Sequence, residues 1–291
     1  MNDYVIYTDS GCDLSPETLK GWGVPYQCLT FKFDGSNTIY SNTDMDEPTF
    51  YAKMRAGGVA KTSAVNSETF LDAFRELLDA GKDILYIGFS SGLSNTYNAA
   101  RIAAEELKER YPSRKVLTVD SLSGSAGQGL LVYLTLEQKK KGATIEQAAA
   151  FAEGIRTKIC HWITVEDLVY LKRGGRISPT VAFVGNALGL KPMLCITDEG
   201  KLHSHSKARG RKKAIDALVE RYGEYAESTA DGTVFISHAD CEQDALLLVE
   251  KLKARFGVKV ELLTQIGPVI GSHAGPGTIA LCFVGVHRGV I

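Results

Sequence analysis

The 291 residues are ordinarily globular in composition, 44% hydrophobic and 23% charged, which excludes a disordered or collagen-like chain. The 33 Lys and Arg against 34 Asp and Glu leave a formal net charge of −1, which excludes a nucleic-acid binder working through a broad basic surface. The six cysteines (Cys12, Cys28, Cys160, Cys195, Cys241, Cys282) are scattered with no C-x-x-C pair, so they read as free thiols of a reducing compartment.

Met1-Asn2-Asp3-Tyr4 runs straight into a strand pattern without the basic start and apolar stretch of a signal peptide. No apolar run approaches the ~18 residues of a membrane span, and a cytoplasmic protein is expected. Val5-Ile6-Tyr7 is a short buried strand ending in Thr8-Asp9-Ser10-Gly11. A helix follows from Ser15, its cap, with Pro16 at the first position and Glu17 in the first turn. Tyr26 to Phe33 reads as extended, and 46–55 and 67–79 as helices. Asp83 to Ile87 is a fully buried strand, and a helix over 94–110 leads to the strand Lys115 to Val119. A helix through Lys139 and another from about Thr144 complete this half.

Buried strands separated by amphipathic helices predict a parallel sheet covered on both faces. The second half reads as strand (Ile159 to Val165), helix, Gly174-Gly175 turn, helix, and a hairpin over 194–206. Then come helix 210–225, strand 233–237, helix 242–256, strand 258–263, and two extended pieces, Pro268 to Ser272 and Thr278 to Val286. The expected fold is therefore α/β with two domains: an N-terminal parallel-sheet unit, 1–155, and a C-terminal mixed-sheet unit, 156–291.

Ligands of open α/β sheets bind beyond the carboxyl ends of strands, where helix N-termini present unpaired N–H groups. Four small, hydroxyl-rich turns answer that description: Thr8-Asp9-Ser10, Thr62-Ser63, Ser90 to Thr96, and Asp120 to Gly124. Such residues suit a carboxylate or phosphate held by neutral donors, and they are equally the common helix caps. Gly88-Phe89-Ser90-Ser91-Gly92 also fits G-x-S-x-G, which makes a serine esterase or lipase with Ser90 the alternative. Its partners would come from Asp231 or Asp240 and His238 or His273.

Ile266 to Thr278 places four glycines and two prolines around His273, a backbone held close to something. Lys172 to Arg176 and Arg209 to Lys213 are basic runs, either solvated helix ends or a docking patch for an acidic partner. Phosphate-loop, dinucleotide and zinc-ligand spacings are missing, so no cofactor or metal is expected; Gly124 to Gly129 carries its glycines in the wrong order.

Thr8-Asp9-Ser10 with Asp13-Leu14, Lys61-Thr62-Ser63, Ser90 to Tyr97, Asp120-Ser121, Leu171 to Ser178, Lys191-Pro192 and Gly271 to Gly277 together resemble the DegV family over nearly the whole chain. Asn95 stands where a glycine is usual in that family, and Ala64-Val65 where Gln and Pro are frequent. The resemblance implies a non-catalytic lipid carrier that buries one long-chain fatty acid, such as palmitate, in a cavity at or near the domain junction. Thr62, Ser63, Ser94, Asn95 and His273 would form the carboxylate site. It further implies a separate ATP-dependent fatty acid kinase subunit as partner, which phosphorylates the carboxylate and docks at Arg209.

Overall fold

The computed structural model describes residues 3–178, 189–230 and 232–288. The chain opens with β1 (Tyr4–Asp9), α1 (Pro16–Trp22), β2 (Tyr26–Gln27), β3 (Thr30–Phe33), β4 (Tyr40–Ser41) and α2 (Glu47–Arg55). It continues through β5 (Ala60–Ser63), α3 (Ser67–Asp79), β6 (Asp83–Gly88), α4 (Thr96–Arg110), β7 (Val116–Asp120), α5 (Ala126–Lys140) and α6 (Ile145–Ile155). Next come β8 (Ile159–Thr164), α7 (Val169–Arg173), β9 (Leu190–Ile196), β10 (Leu202–Arg209) and α8 (Arg211–Tyr225). The chain ends with β11 (Val234–His238), α9 (Glu242–Phe256), β12 (Val260–Gln265), α10 (Pro268–Ala274) and β13 (Ile279–Val284).

Strands β2-β1-β6-β7 form a wholly parallel sheet in that order. Every residue of β6 is buried, because helices cover both faces. The two-residue period sorts its side chains. Ile84 and Tyr86 join Phe70 and Phe74 of α3 and Ala100 and Ala103 of α4. Leu85 and Ile87 join Leu130 and Leu131 of α5 on the other face. Helix α5 is buried nearly all round, since it also packs on β8, β11 and β13.

Those last strands belong to a six-stranded mixed sheet, β10-β9-β8-β13-β11-β12, in which only β11 and β12 run parallel. Trp162, Val234, Leu281 and Phe283 face α8 and α9 on its outer side. Phe235, Ala280 and Cys282 face α5 and share its core.

Two sequence expectations fail. Thr62-Ser63 is not a turn after a strand but the end of edge strand β5, in a small antiparallel sheet β4-β3-β5. Ala-Lys-Thr-Ser carries no apolar pattern, so only its backbone pairing with β3 makes it a strand. Pro268 to Ser272 is helical rather than extended, and His273 therefore sits on a helix. Pro268 occupies the first helical position, and the N–H groups of Gly267 and Val269 are accepted by Asp13 Oδ1 at 3.0 Å and Asn42 Oδ1 at 2.8 Å. Capping from so far along the chain leaves no local signal. The second helix expected after Gly174-Gly175 lies outside the described residues.

Candidate functional site

In the parallel sheet β2 lies on one side of β1 and β6 on the other, so the chain changes direction between β1 and β6. A crevice is expected beyond the carboxyl ends of these two strands. The loops there are organised by Asp9, which is fully buried. Its carboxylate accepts from Tyr86 Oη at 2.6 Å, Phe89 N at 2.9 Å and Gly11 N at 2.9 Å. Thr8 Oγ1 donates to Ile87 O and Ser10 Oγ accepts from Leu29 N. Asp120 Oδ1 likewise accepts from Ser91 N and Leu122 N, and Ser121 Oγ donates to Ser123 O. The polar groups of these two turns, Thr8 to Ser10 and Asp120 to Gly124, are thus spent on tying the loops to one another and to β6.

The space they support is a cavity of about 300 Å³ between the mixed sheet and the loops at the carboxyl ends of the parallel strands. One wall is the inner face of the mixed sheet: His161, Ile163 and Val165 alternate along β8 and its end, with Leu194 and Ile196 beside them on β9. Phe89, Leu93 and Val269 face them. A further buried cluster of Val165, Leu168, Leu171, Ile177 and Leu194 closes one flank around α7.

Four of the polar side chains that line the cavity come from β5, the turn before α4, and α10. Thr62 Oγ1 lies 2.8 Å from His273 Nε2. Burial, reinforced by the nearby Arg176 guanidinium, pushes the imidazole of His273 down to about 4, so it is neutral at pH 7. Ser94 Oγ bonds Thr96 Oγ1 at 2.9 Å and accepts from Thr96 N at 3.3 Å. Asn95 is the N-cap residue of α4 but makes no side-chain cap bond; its Oδ1 accepts from Asn98 Nδ2 instead. The first turn of this 15-residue helix thus presents its N–H groups and positive dipole end beside the two residues.

Thr62, Ser94, Asn95 and His273 all line the cavity. Ser63 does not: next along the strand, it is exposed and outside the lining. Arg209, at the end of β10, is exposed and likewise outside it. Arg176 corrects the reading of its basic run as a solvated helix end or docking patch. It turns inward to line the cavity, donating from Nε and Nη2 to Leu93 O at 3.2 and 2.9 Å and from Nη1 to Gly174 O. Sequence reasoning also missed His161, whose only signal is the alternation His161, Ile163, Val165.

The esterase geometry is missing. Ser90 is fully buried, donates to Gly200 O at 2.7 Å and accepts from Gly92 N. Its backbone is not left-handed, and α4 begins six residues later. His238 and Asp240 line a different cleft, His273 bonds Thr62, and Asp231 lies outside the described residues.

Fold and site together define an α/β protein with a mostly apolar cavity between its mixed sheet and the loops of its parallel sheet. The DegV family profile, described as "Uncharacterised protein, DegV family", matches residues 3–286, and the chain belongs to that family. A DegV domain-containing protein of Clostridium perfringens is 42% identical over 286 residues, which is 98% of each chain. A DegV family protein from Thermus thermophilus, described as binding fatty acid, superposes with a TM-score of 0.87 at 30% identity, covering 98% of this chain and 100% of that one. A stearic acid-binding protein from Eubacterium ventriosum gives a TM-score of 0.87 at 25% identity, covering 97% and 98%. Among the described residues, no helix is long and apolar enough to cross a membrane.

Proposed function

We propose that this protein is a non-catalytic carrier that buries the tail of one long-chain fatty acid, such as palmitate, and holds its carboxylate at Thr62, Ser94, Asn95 and His273. The observation that carries this reading is the mostly apolar cavity with a cluster of hydroxyl, amide and neutral imidazole groups at a helix N-terminus. Burying a sixteen-carbon tail gains on the order of 10 kcal/mol gross at ~0.8 kcal/mol per methylene. Association and ordering costs of about 4–15 kcal/mol offset much of this, so an unsatisfied carboxylate would abolish binding.

For Thr62 to donate to the carboxylate, it must accept from His273, which makes Nε2 the protonated nitrogen of the neutral ring. Nδ1, buried and without a hydrogen-bond partner among the described residues, then carries the lone pair. Arg176 adds a positive charge at the rim while its donors remain held by two carbonyls. The cavity lies where the units 1–155 and 156–291 would meet, and both contribute to the polar cluster. The kinase partner and its docking at Arg209 rest on the family resemblance, and a cytoplasmic location on the sequence expectation above; the exposure of Arg209 is compatible with docking.

Mass spectrometry of lipid extracted from the purified protein tests the proposal: one equivalent of long-chain fatty acid is expected. A lipid-free preparation that also ignores added palmitate overturns it. A fluorophosphonate should leave Ser90 unlabelled, and labelling abolished by Ser90→Ala would revive the esterase.

A further inference from the structure

Two adjacent glycines end α7, and they are glycines for different reasons. Gly175 has φ +70°, with nothing within 4 Å of where its Cβ would stand. It is the left-handed residue of a Schellman turn, in which Gly175 N donates to Lys172 O at 3.0 Å and Arg176 N to Leu171 O at 2.9 Å. Gly174, one residue earlier, has φ −74° and ψ −8°, close to ordinary helical angles that any residue adopts. Backbone conformation therefore does not account for it.

Space does. A Cβ on Gly174 would overlap Nδ1 of His273, with the ring atoms Cε1 at 2.9 Å and Cγ at 3.1 Å. Both carbons bonded to Nδ1 stand farther off than Nδ1 itself, so the approach is at the edge of the ring and not over its face. Gly174 thus backs the imidazole at Nδ1, while Thr62 Oγ1 meets the same ring at Nε2, 2.8 Å away.

Neither α10 nor the turn has slack. Gly271, two residues before His273 and so on the opposite side of α10, lies against Tyr51, where a Cβ would overlap the hydroxyl. That hydroxyl is itself tied to Ile266 O at 2.7 Å. The turn is held by Arg176, which bonds Gly174 O through Nη1 and Leu93 O, next to Ser94, through Nε and Nη2. A methyl at 174 would therefore turn the ring out of line with Thr62.

We propose that Gly174 is a positioning residue of the carboxylate site: its missing side chain lets α7 close on the edge of His273, which fixes the ring against Thr62 and so aims the Thr62 hydroxyl at the fatty acid head group. The inference rests on the fatty-acid reading above and deepens it, assigning part of head-group recognition to a residue outside the cavity lining.

The test compares Gly174→Ala with Gly175→Ala, which strains the same turn without reaching His273. In calorimetric titration with palmitate, Gly174→Ala should bind about tenfold more weakly than wild type, the scale of one hydrogen bond, and Gly175→Ala within roughly threefold. In a His273→Ala background, Gly174→Ala should change affinity by less than about threefold, because no ring remains to displace. Lipid-free protein supplies a readout that a merely structural role would not move, the ¹⁵N signals of His273 followed with pH. The ring, held at about 4 in the fold, should titrate nearer 6.5 in Gly174→Ala and be unchanged in Gly175→Ala. If Gly174→Ala fails to fold, the double variant, which has room for the methyl, should fold; failure of both overturns the proposal. Wild-type affinity in Gly174→Ala, an equal loss in Gly175→Ala, a loss that persists without His273, or an unmoved His273 titration also overturns it and leaves the carrier reading standing. Absence of palmitate binding by the wild type overturns the carrier reading, and the His273 titration still decides whether Gly174 sets the ring.

Discussion

Thr62 Oγ1 lies 2.8 Å from His273 Nε2, joining the edge strand β5 to helix α10 across 211 positions of sequence. Neither element has a strong local signal, so the pair exists because the tertiary fold holds both ends. Replacing Thr62 by valine keeps the β-branched shape and removes only the hydroxyl. Thr62→Val and Ser94→Ala should each weaken palmitate binding roughly 10- to 100-fold, the scale of a hydrogen bond to a charged group. Ser63→Ala and Ser90→Ala, outside the lining, should stay within about threefold of wild type. Titration calorimetry on the four variants reads this directly.

Acid should act through His273. Its imidazole is held at about 4 in the fold against an ordinary 6.5, so the folded state resists protonation. Its contribution is fully present above pH 6.5 and is lost as pH falls toward 4. Asp13 has the opposite sign: burial raises it from 3.8 to about 8, so its contribution is complete below 3.8 and is lost as pH rises toward 8. Comparing wild type with His273→Gln cancels Asp13. The wild type should lose on the order of 3 kcal/mol more than the variant between pH 6.5 and 4. Urea unfolding across that range measures it, and parallel curves would show that His273 is not held neutral.

Helix α10 is clamped by residues far from it in sequence. Besides the bonds from Asp13 and Asn42, Tyr51 Oη donates to Ile266 O at 2.7 Å. Asn42→Ala should therefore raise hydrogen exchange over 267–274 and weaken fatty acid binding through His273, without changing exchange in β6. Equal exchange in the variant and the wild type would remove Asn42 from the positioning of the helix.

Arg176 ties the end of the α7 segment to the turn before α4. Its fork fits the Leu93 carbonyl with two donors, which a shorter amide cannot reproduce. Arg176→Gln should speed exchange over 166–177, whose apolar residues form a cluster apart from the larger cores. Unchanged protection there would show that the cluster alone holds the segment.

The sequence made the two large sheets legible because their strands obey simple rules. Asp83 to Ile87 reads as buried on both faces, and Thr144 with Gln147 forms the capping box that starts α6. What was hidden depends on distant partners. Ala60 to Ser63 is a strand only because β3 pairs with it, and Pro268 to Ala274 is a helix whose first turn is capped by Asp13 and Asn42. Thr62, Ser94, Asn95 and His273 were picked out by chemistry and family resemblance, and the fold gathers them around one cavity. Ser63 drops out by the strand's two-residue alternation. Arg176 and His161 escaped because a basic run and a lone histidine look the same in sequence whether they face solvent or a cavity.

The most direct measurement is calorimetric titration of lipid-stripped protein with palmitate at several temperatures. One equivalent should bind with a negative heat-capacity change, the mark of a tail leaving water, and Thr62→Val should lower the affinity without altering that change. Absence of saturable binding, or binding with no heat-capacity change, contradicts the account.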